Sequence, residues 1–394
     1  MPAWDSRLTL FLACAAAPFM DAFAIASTGM CLADIPLAPA LAGAAAAFYM
    51  LGALAGCSAM GSLSDRLGRK PLLAAAPAAA AAASVFLALV PAETAAHAAL
   101  PASLLLAGRF LLGFFTAGDF PAAQAMLSEE LPKEAGQRAL IGMMIAWYAG
   151  ALFAILAGTL IQGRGSWSLW QLLPVPGFAA ALLLRARLPE SRAWSAHRAA
   201  RARAKRAAFT REDFGKAAFV CAFWLCQAIP ATVIFFFGPA LIGDIGSGVL
   251  PPEIELALIY AFILAGAVPA LATLARAKRK TVLVSTFALM ALGLALMAFQ
   301  PFAGSALLGF VSFAAAYGYQ SVLDFIYPAE LFSPAIRGSA TGAILTVSKT
   351  GAAFSAFLFP IGVTAFGSAS MVAAGAFVCL AGMLFSLRFA IEPR

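Results

Sequence analysis

Histidine is almost missing from this chain: of 394 residues, only His97 and His197 carry an imidazole. Neither has a Cys, His or Asp/Glu set at ligand spacing, which leaves no nucleophile–base pair and no metal cluster to build on. An enzyme is not expected, nor a metal, nor a bound cofactor. The phosphate-binding pattern G-x-x-x-x-G-K-S/T is absent as well, which excludes an ATP-driven pump within this chain. Six cysteines (Cys14, Cys31, Cys57, Cys221, Cys226 and Cys379) fall in apolar stretches without C-x-x-C spacing, so neither disulfides nor metal sites are indicated. Charge is scarce too: 11% of the residues are Asp, Glu, Lys or Arg, where an ordinary soluble domain carries about 25%. Such a chain belongs in a membrane.

What it has instead is long apolar runs, with 63% of its residues hydrophobic. A membrane-spanning helix needs about 20 mostly apolar residues. Twelve such runs are expected, at 9–31, 40–62, 71–91, 100–126, 139–161, 168–187, 216–243, 254–275, 281–300, 304–327, 339–362 and 368–390. The tract from Ala74 to Ala83 reads as a closely packed membrane helix rather than as low complexity. The first run reads as a retained helix rather than a signal peptide, because it continues past "RLTLFLACAAA" without a charged stop until Asp21.

The basic residues orient these spans. If twelve helices start and finish in the cytoplasm, all but three of the 26 Lys and Arg lie on that side; Arg109 and Lys349 fall within spans, and Arg164 alone is in an outer loop. The segment "RARLPESRAWSAHRAARARAKRAAFTRE" is then a central cytoplasmic linker along the inner leaflet. Its bases face lipid, so the net charge of +8 does not call for a nucleic-acid partner.

The pattern also repeats. "RLGRKPLL" (66–73) and "RAKRKTVL" (276–283) match at Arg, Arg, Lys and Leu, and "EELPKEAGQR" (129–138) pairs with "AELFSPAIR" (329–337). Both pairs follow the same ordinal helices of two six-helix halves. The expected fold is therefore an all-α membrane protein, with twelve transmembrane helices in two pseudo-symmetric six-helix bundles: residues 1–187, a linker 188–215, and residues 216–394. Duplicated membrane halves commonly enclose a site at the midplane between them.

"GSLSDRLGRK" (61–70) resembles the loop signature of the major facilitator superfamily, G-x-L-A/S-D-R-x-G-R-R/K, at every specified position. The resemblance implies that Asp65, Arg66, Arg69 and Lys70 latch the cytoplasmic side. The second copy has Ala275 where the acid stood and lacks the glycines, which leaves a second latch unsupported. "LPESRAW" and "AELFSPAIRGSATG" resemble motifs of the sugar-porter branch, implying a gating charge network of Glu130, Arg138, Glu190, Arg192, Glu330 and Arg337. "FWLCQAIPATVIFFFGP" is similar to the sugar-porter segment of helix 7 and keeps one Gln, Gln227, but the sugar-contacting Asn is absent, which counts against a sugar. "AGDFPAAQAMLSEE", "FMDAFAIA" and "SKTGAAFS" resemble segments of phosphate–proton symporters and related metabolite symporters. Ser321 and Asp324 break that parallel, because an extra acid repels phosphate.

Five ionisable groups are candidates for the bilayer centre: Asp21, Asp119 and Asp324 against Arg109 and Lys349. Each costs a few kcal/mol on insertion scales, so such groups face cavities, pair and work. In sugar porters, the helix 4 Arg of "GRFLLG" pairs with a helix 1 Asp, which implies that Arg109 tunes a proton carried by Asp21 and Asp119. A static charge pair between helices 1 and 4 is the plainer alternative. The expected solute site is lined by Trp224, Gln227, Tyr317, Tyr319, Gln320, Asp324 and Lys349. Two cations and one uncommitted acid suit a small polar organic acid or a zwitterion. A proton-coupled uptake carrier, monomeric, in a bacterial inner membrane with both termini cytoplasmic, is the resulting expectation. An exporter or antiporter, or a transporter-like substrate sensor, stays open as an alternative; helix 5 lacks the pattern associated with drug antiporters.

Overall fold

The computed structural model describes residues 7–392 apart from 36, 91–98, 164–165, 193, 196–209, 247, 249, 275 and 333–336, and every described element is an α-helix. The first half contains α1 (Arg7–Asp34), α2 (Pro39–Leu67), α3 (Arg69–Leu89), α4 (Ala99–Gly118), α5 (Phe120–Glu130), α6 (Lys133–Thr159), α7 (Trp167–Leu172) and α8 (Val175–Ala186). The second contains α9 (Arg211–Ile245), α10 (Pro252–Ala267), α11 (Ala270–Thr273), α12 (Arg279–Phe299), α13 (Ser305–Ser321), α14 (Leu323–Leu331), α15 (Arg337–Phe366) and α16 (Ser368–Phe389). Among the described residues, eleven helical stretches are long and apolar enough to cross a bilayer. The other expected crossing, 304–327, is made by α13 and α14 together, interrupted at Val322.

The starts and stops have local causes. α9 begins at Arg211, ahead of the expected 216, because Thr210 and Asp213 form a capping box. Its 35 residues span roughly 52 Å at about 1.5 Å per residue, so its first turns stand clear of a hydrocarbon core about 30 Å thick. We call this the linker end of the molecule. The fourth crossing breaks between α4 and α5 at Asp119. Pro121 has no N–H for the carbonyl four residues back, and the Cys57 thiol donates to that Ala117 oxygen instead, at 3.1 Å.

Glycine brings the helices together. Gly52 and Gly56 of α2 lie directly on the carbonyls of Phe110 and Phe114 in α4, where any Cβ would strike backbone. The second half repeats the device at the equivalent crossing, with Gly266 of α10 on the Ala315 carbonyl and Gly318 of α13 on that of Ile263. Between the halves, α2 packs on α15, α6 on α10 and α1 on α9. Around the outside, Leu89, Leu160, Leu183, Phe299, Phe366 and Phe377 are each at least two-thirds exposed, a surface made for lipid rather than water.

Of the expected linker, residues 196–209 lie outside the described residues. Its first part is docked on the first half, with Leu188, Ser191 and Trp194 buried.

Candidate functional site

Asp21 sits at the middle of α1, buried, and its carboxylate is held by neutral donors alone. Oδ1 accepts from the Tyr49 hydroxyl at 2.8 Å and from Thr116 at 3.4 Å, and Oδ2 accepts from the Trp147 indole N–H at 3.0 Å. Tyr49 and Thr116 also share a hydrogen bond of 2.7 Å. Three helices, α2, α4 and α6, thus converge on one carboxylate, and none brings it a cation.

The expected partner is elsewhere. Arg109 is buried on α4, donates from Nη1 to Thr28 Oγ1 at 2.6 Å, and lies over the Trp167 ring at 5.6 Å. Its Nε and Nη2 make no hydrogen bond. This corrects the pairing implied by the sugar-porter resemblance: Arg109 bonds α1 at Thr28, seven residues and about two turns beyond Asp21.

Asp119 has a cation, one the sequence did not single out. Arg185 of α8, assigned above to the cytoplasmic bases, is buried and forms an ion pair with Asp119. Its other donors reach the Ala13 carbonyl at 2.8 Å and the Leu73 carbonyl at 3.2 Å. The Leu73 oxygen is free to accept because Pro77, four residues on, has no N–H. One guanidinium therefore ties α1, α3, α8 and the α4–α5 break together.

In the second half, Asp324 lies in the first turn of α14, buried, with Oδ2 accepting from Gln227 Nε2 of α9 at 2.5 Å. Asp324 Oδ1 and Gln227 Oε1 make no hydrogen bond, which leaves two acceptors open side by side. Tyr317 is buried near Tyr148 of α6, which donates to Ser321 at 2.5 Å across the junction of the halves. Phe235 packs on Trp147, Tyr260 and Tyr317 with ring centroids 4.9–5.7 Å apart, joining both clusters. Trp224 is buried one turn before Gln227 on α9. Two expected residues point elsewhere: Tyr319 bonds Thr273 at 2.7 Å, and Gln320 accepts from Thr286 of α12 at 2.6 Å. On α13 they stand beside the face that carries Tyr317 and Ser321, whose i, i+4 spacing defines the central side. Lys349 is half-buried on α15, which packs on α2.

At the linker end, the residues expected to gate fall in two clusters. In the first half, Arg69 is buried and donates to Ser64 at 3.0 Å and to Glu129 at 2.8 Å. Glu190 accepts from the backbone N–H groups of Arg69 (2.8 Å) and Lys70 (3.3 Å), capping the N-terminus of α3 from outside its own sequence. Ser191 donates to Glu129 at 2.5 Å, and the Arg192 N–H to Glu130 at 2.6 Å. Arg66 and Arg138 are exposed, and the side chains of Asp65 and Arg337 lie outside the described residues.

The second cluster has parts matching the first, although its loop motif is degenerate. Arg279 holds Glu330 through two bonds of 3.0 and 2.6 Å, and Glu392 accepts from the N–H groups of Arg279 (3.0 Å) and Lys280 (2.8 Å), as Glu190 does in the first half. The acid lost at Ala275 is only one part of the device. Glu129, Arg185, Arg279 and Glu392 were all missed by sequence reasoning. A repeat signal exists for two of them: Arg279 aligns with Arg69 in the "RLGRKPLL"/"RAKRKTVL" pair, and "ESR" at 190–192 and "EPR" at 392–394 share an acid and a base two residues on.

Residues 8–356 match a family model described as Major Facilitator Superfamily. The chain is similar to YaaU of Escherichia coli (strain K12), named as a metabolite transport protein, with 31% identity over 417 aligned residues taking in 96% of this chain and 90% of that protein. It is also similar to the inner membrane metabolite transport protein YgcS of the same organism, at 26% identity over 91% of this chain and 84% of that one. Among solved structures, it resembles a D-xylose–proton symporter with a TM-score of 0.78 at 19% identity, covering 98% of both chains.

Proposed function

The chain belongs to the Major Facilitator Superfamily, and from that premise we propose that it carries a small polar organic acid or zwitterion across a bacterial inner membrane together with protons. Uptake by alternating access is the direction we favour, with the linker end in the cytoplasm. The observation that carries the coupling is the setting of Asp21. A carboxylate bonded to three neutral donors can gain and lose a proton without breaking an ion pair. The likeness to a proton symporter supports the same reading.

The solute class rests on open atoms of opposite character. Asp324 Oδ1 and Gln227 Oε1 accept, and suit an ammonium group or hydroxyls; the spare nitrogens of Arg109 and the ammonium of Lys349 donate, and suit a carboxylate. A thermal-shift screen of organic acids, amino acids, sugars and amines on purified protein tests this. Stabilisation by acids or zwitterions is expected, and stabilisation by sugars alone rejects the solute class. With the solute found, Asp21→Asn should abolish uptake driven by a pH gradient in proteoliposomes while counterflow exchange persists. Driven uptake at the wild-type level in that variant ends the reading of Asp21 as the proton carrier.

A further inference from the structure

Two neighbouring residues of α6 touch the two halves of the site separately. The Trp147 indole N–H donates to Asp21 Oδ2 at 3.0 Å, and the next residue, Tyr148, donates its hydroxyl to Ser321 Oγ at 2.5 Å. Ser321 is the last residue of α13, and its own hydroxyl donates to the Gly318 carbonyl at 2.9 Å, so Tyr148 grips the helix at the edge of its interruption, three residues before Asp324. The two rings meet edge to face at 5.2 Å, and Phe235 closes against Trp147 at 4.9 Å and Tyr317 at 5.6 Å. Tyr148 is buried and Trp147 half-buried, and their edge-to-face contact passes a shift of one ring to the other.

The donors of Asp21 are not equivalent. Tyr49 and Thr116 carry hydroxyls, which turn from donor to acceptor when a proton arrives on Oδ1; an indole N–H only donates. Trp147 therefore bonds strongly to ionised Asp21 and weakly to the acid, since a charge-assisted hydrogen bond is roughly twice as strong as a neutral one. The remaining ionisable groups around Asp21 are Tyr49 and Cys57 on α2, Arg109 on α4, Asp119 at the α4–α5 break with Arg185 of α8 upon it, and Lys349 on α15. The packed stretch of α9 presents Phe235 and Phe236. None of the three cations bonds to Asp21, so the indole is the group whose grip changes most with its charge.

We propose that Trp147 and Tyr148 are the positioning residues that carry the protonation state of Asp21 in the first half to the interruption of the tenth crossing in the second. Protonation loosens Trp147, the shift of α6 slackens the Tyr148–Ser321 bond, and α13 and α14 are freed to change their angle around Asp324. The inference rests on Asp21 as the proton carrier, and its test needs no solute. The protonated-carboxyl infrared band of Asp21 is assigned in purified protein by its loss in Asp21→Asn, and its pH midpoint is followed. Trp147→Phe removes one hydrogen bond to the ionised form, so the midpoint should rise by about one to two pH units. Tyr148→Phe should abolish the pH-dependent change in distance between spin labels at Ser62 and Ala343, on the linker-end halves of α2 and α15.

If Trp147→Phe does not fold, the sulfur analogue of tryptophan at that position keeps the ring and lacks the N–H. A folded variant of either kind with an unmoved midpoint overturns the proposal, as does Tyr148→Phe with a wild-type distance response. Absence of any band lost in Asp21→Asn condemns the proton-carrier reading itself.

Discussion

Asp21 and Asp119 are both buried acids in the first half, and their surroundings assign them different work. Asp21 meets hydroxyls and an indole, whereas Asp119 meets a guanidinium that also bonds two backbone carbonyls. Removing one partner of a buried pair leaves an uncompensated charge and costs about 3–5 kcal/mol. Asp119→Asn should therefore lower folded yield and counterflow exchange together. Asp119→Leu combined with Arg185→Met should recover much of the yield, because the pair is then gone rather than broken. Asp119→Asn protein with normal yield that loses driven uptake alone would return Asp119 to the proton path. Sequence reasoning found the five ionisable groups that lie deep within apolar runs, because a charge there is visible by contrast. It missed Arg185 because that residue stands at the end of a span beside genuine linker bases, and only packing shows that its side chain turns inward.

At the scale of elements, the spans were legible because each is a run of apolar residues bounded by charge, proline or glycine. What the sequence hid was how helix ends are satisfied across the chain. Gly68 joins α2 to α3 with φ at 110°, and a Cβ on it would land on the Glu190 carboxylate that caps α3. Glu190 lies 120 residues away from the N–H groups it caps, so no local pattern announces the contact. Gly68→Ala should suffer twice, from a backbone conformation costing about 1–3 kcal/mol and from displacement of Glu190. Gly163 is a control, with φ at 69° and open space around its Cβ position. The melting temperature should fall in both variants, further in Gly68→Ala, and only Gly68→Ala should slow transport. Equal effects would show that Glu190 contributes nothing there.

Across the whole molecule, the duplication is closer in space than in sequence. The second half lost the acid and the glycines of the loop motif, yet it keeps an arginine at the start of the third helix of its half, a glutamate on the fourth crossing of that half, and a glutamate after its last helix capping the third. The first half has the same three parts in Arg69, Glu129 and Glu190. Each set lies within one half, fixing the linker-end tips of three crossings as a unit, which is what a rigid body needs if it is to rock against its twin. A carboxylate that loses its charge still accepts a hydrogen bond, but more weakly, so Glu190→Gln and Glu392→Gln should each slow uptake of the solute identified by thermal shift, by about tenfold for each 1.4 kcal/mol lost, with KM little changed. The two clusters lie in different halves, so their free-energy effects should add and the double variant should show roughly the product of the two fold-changes. A double variant no slower than the worse single one would mean that one cluster alone limits the conformational change. A Glu392→Gln variant at the wild-type rate would leave the second latch as packing only, despite its matching geometry.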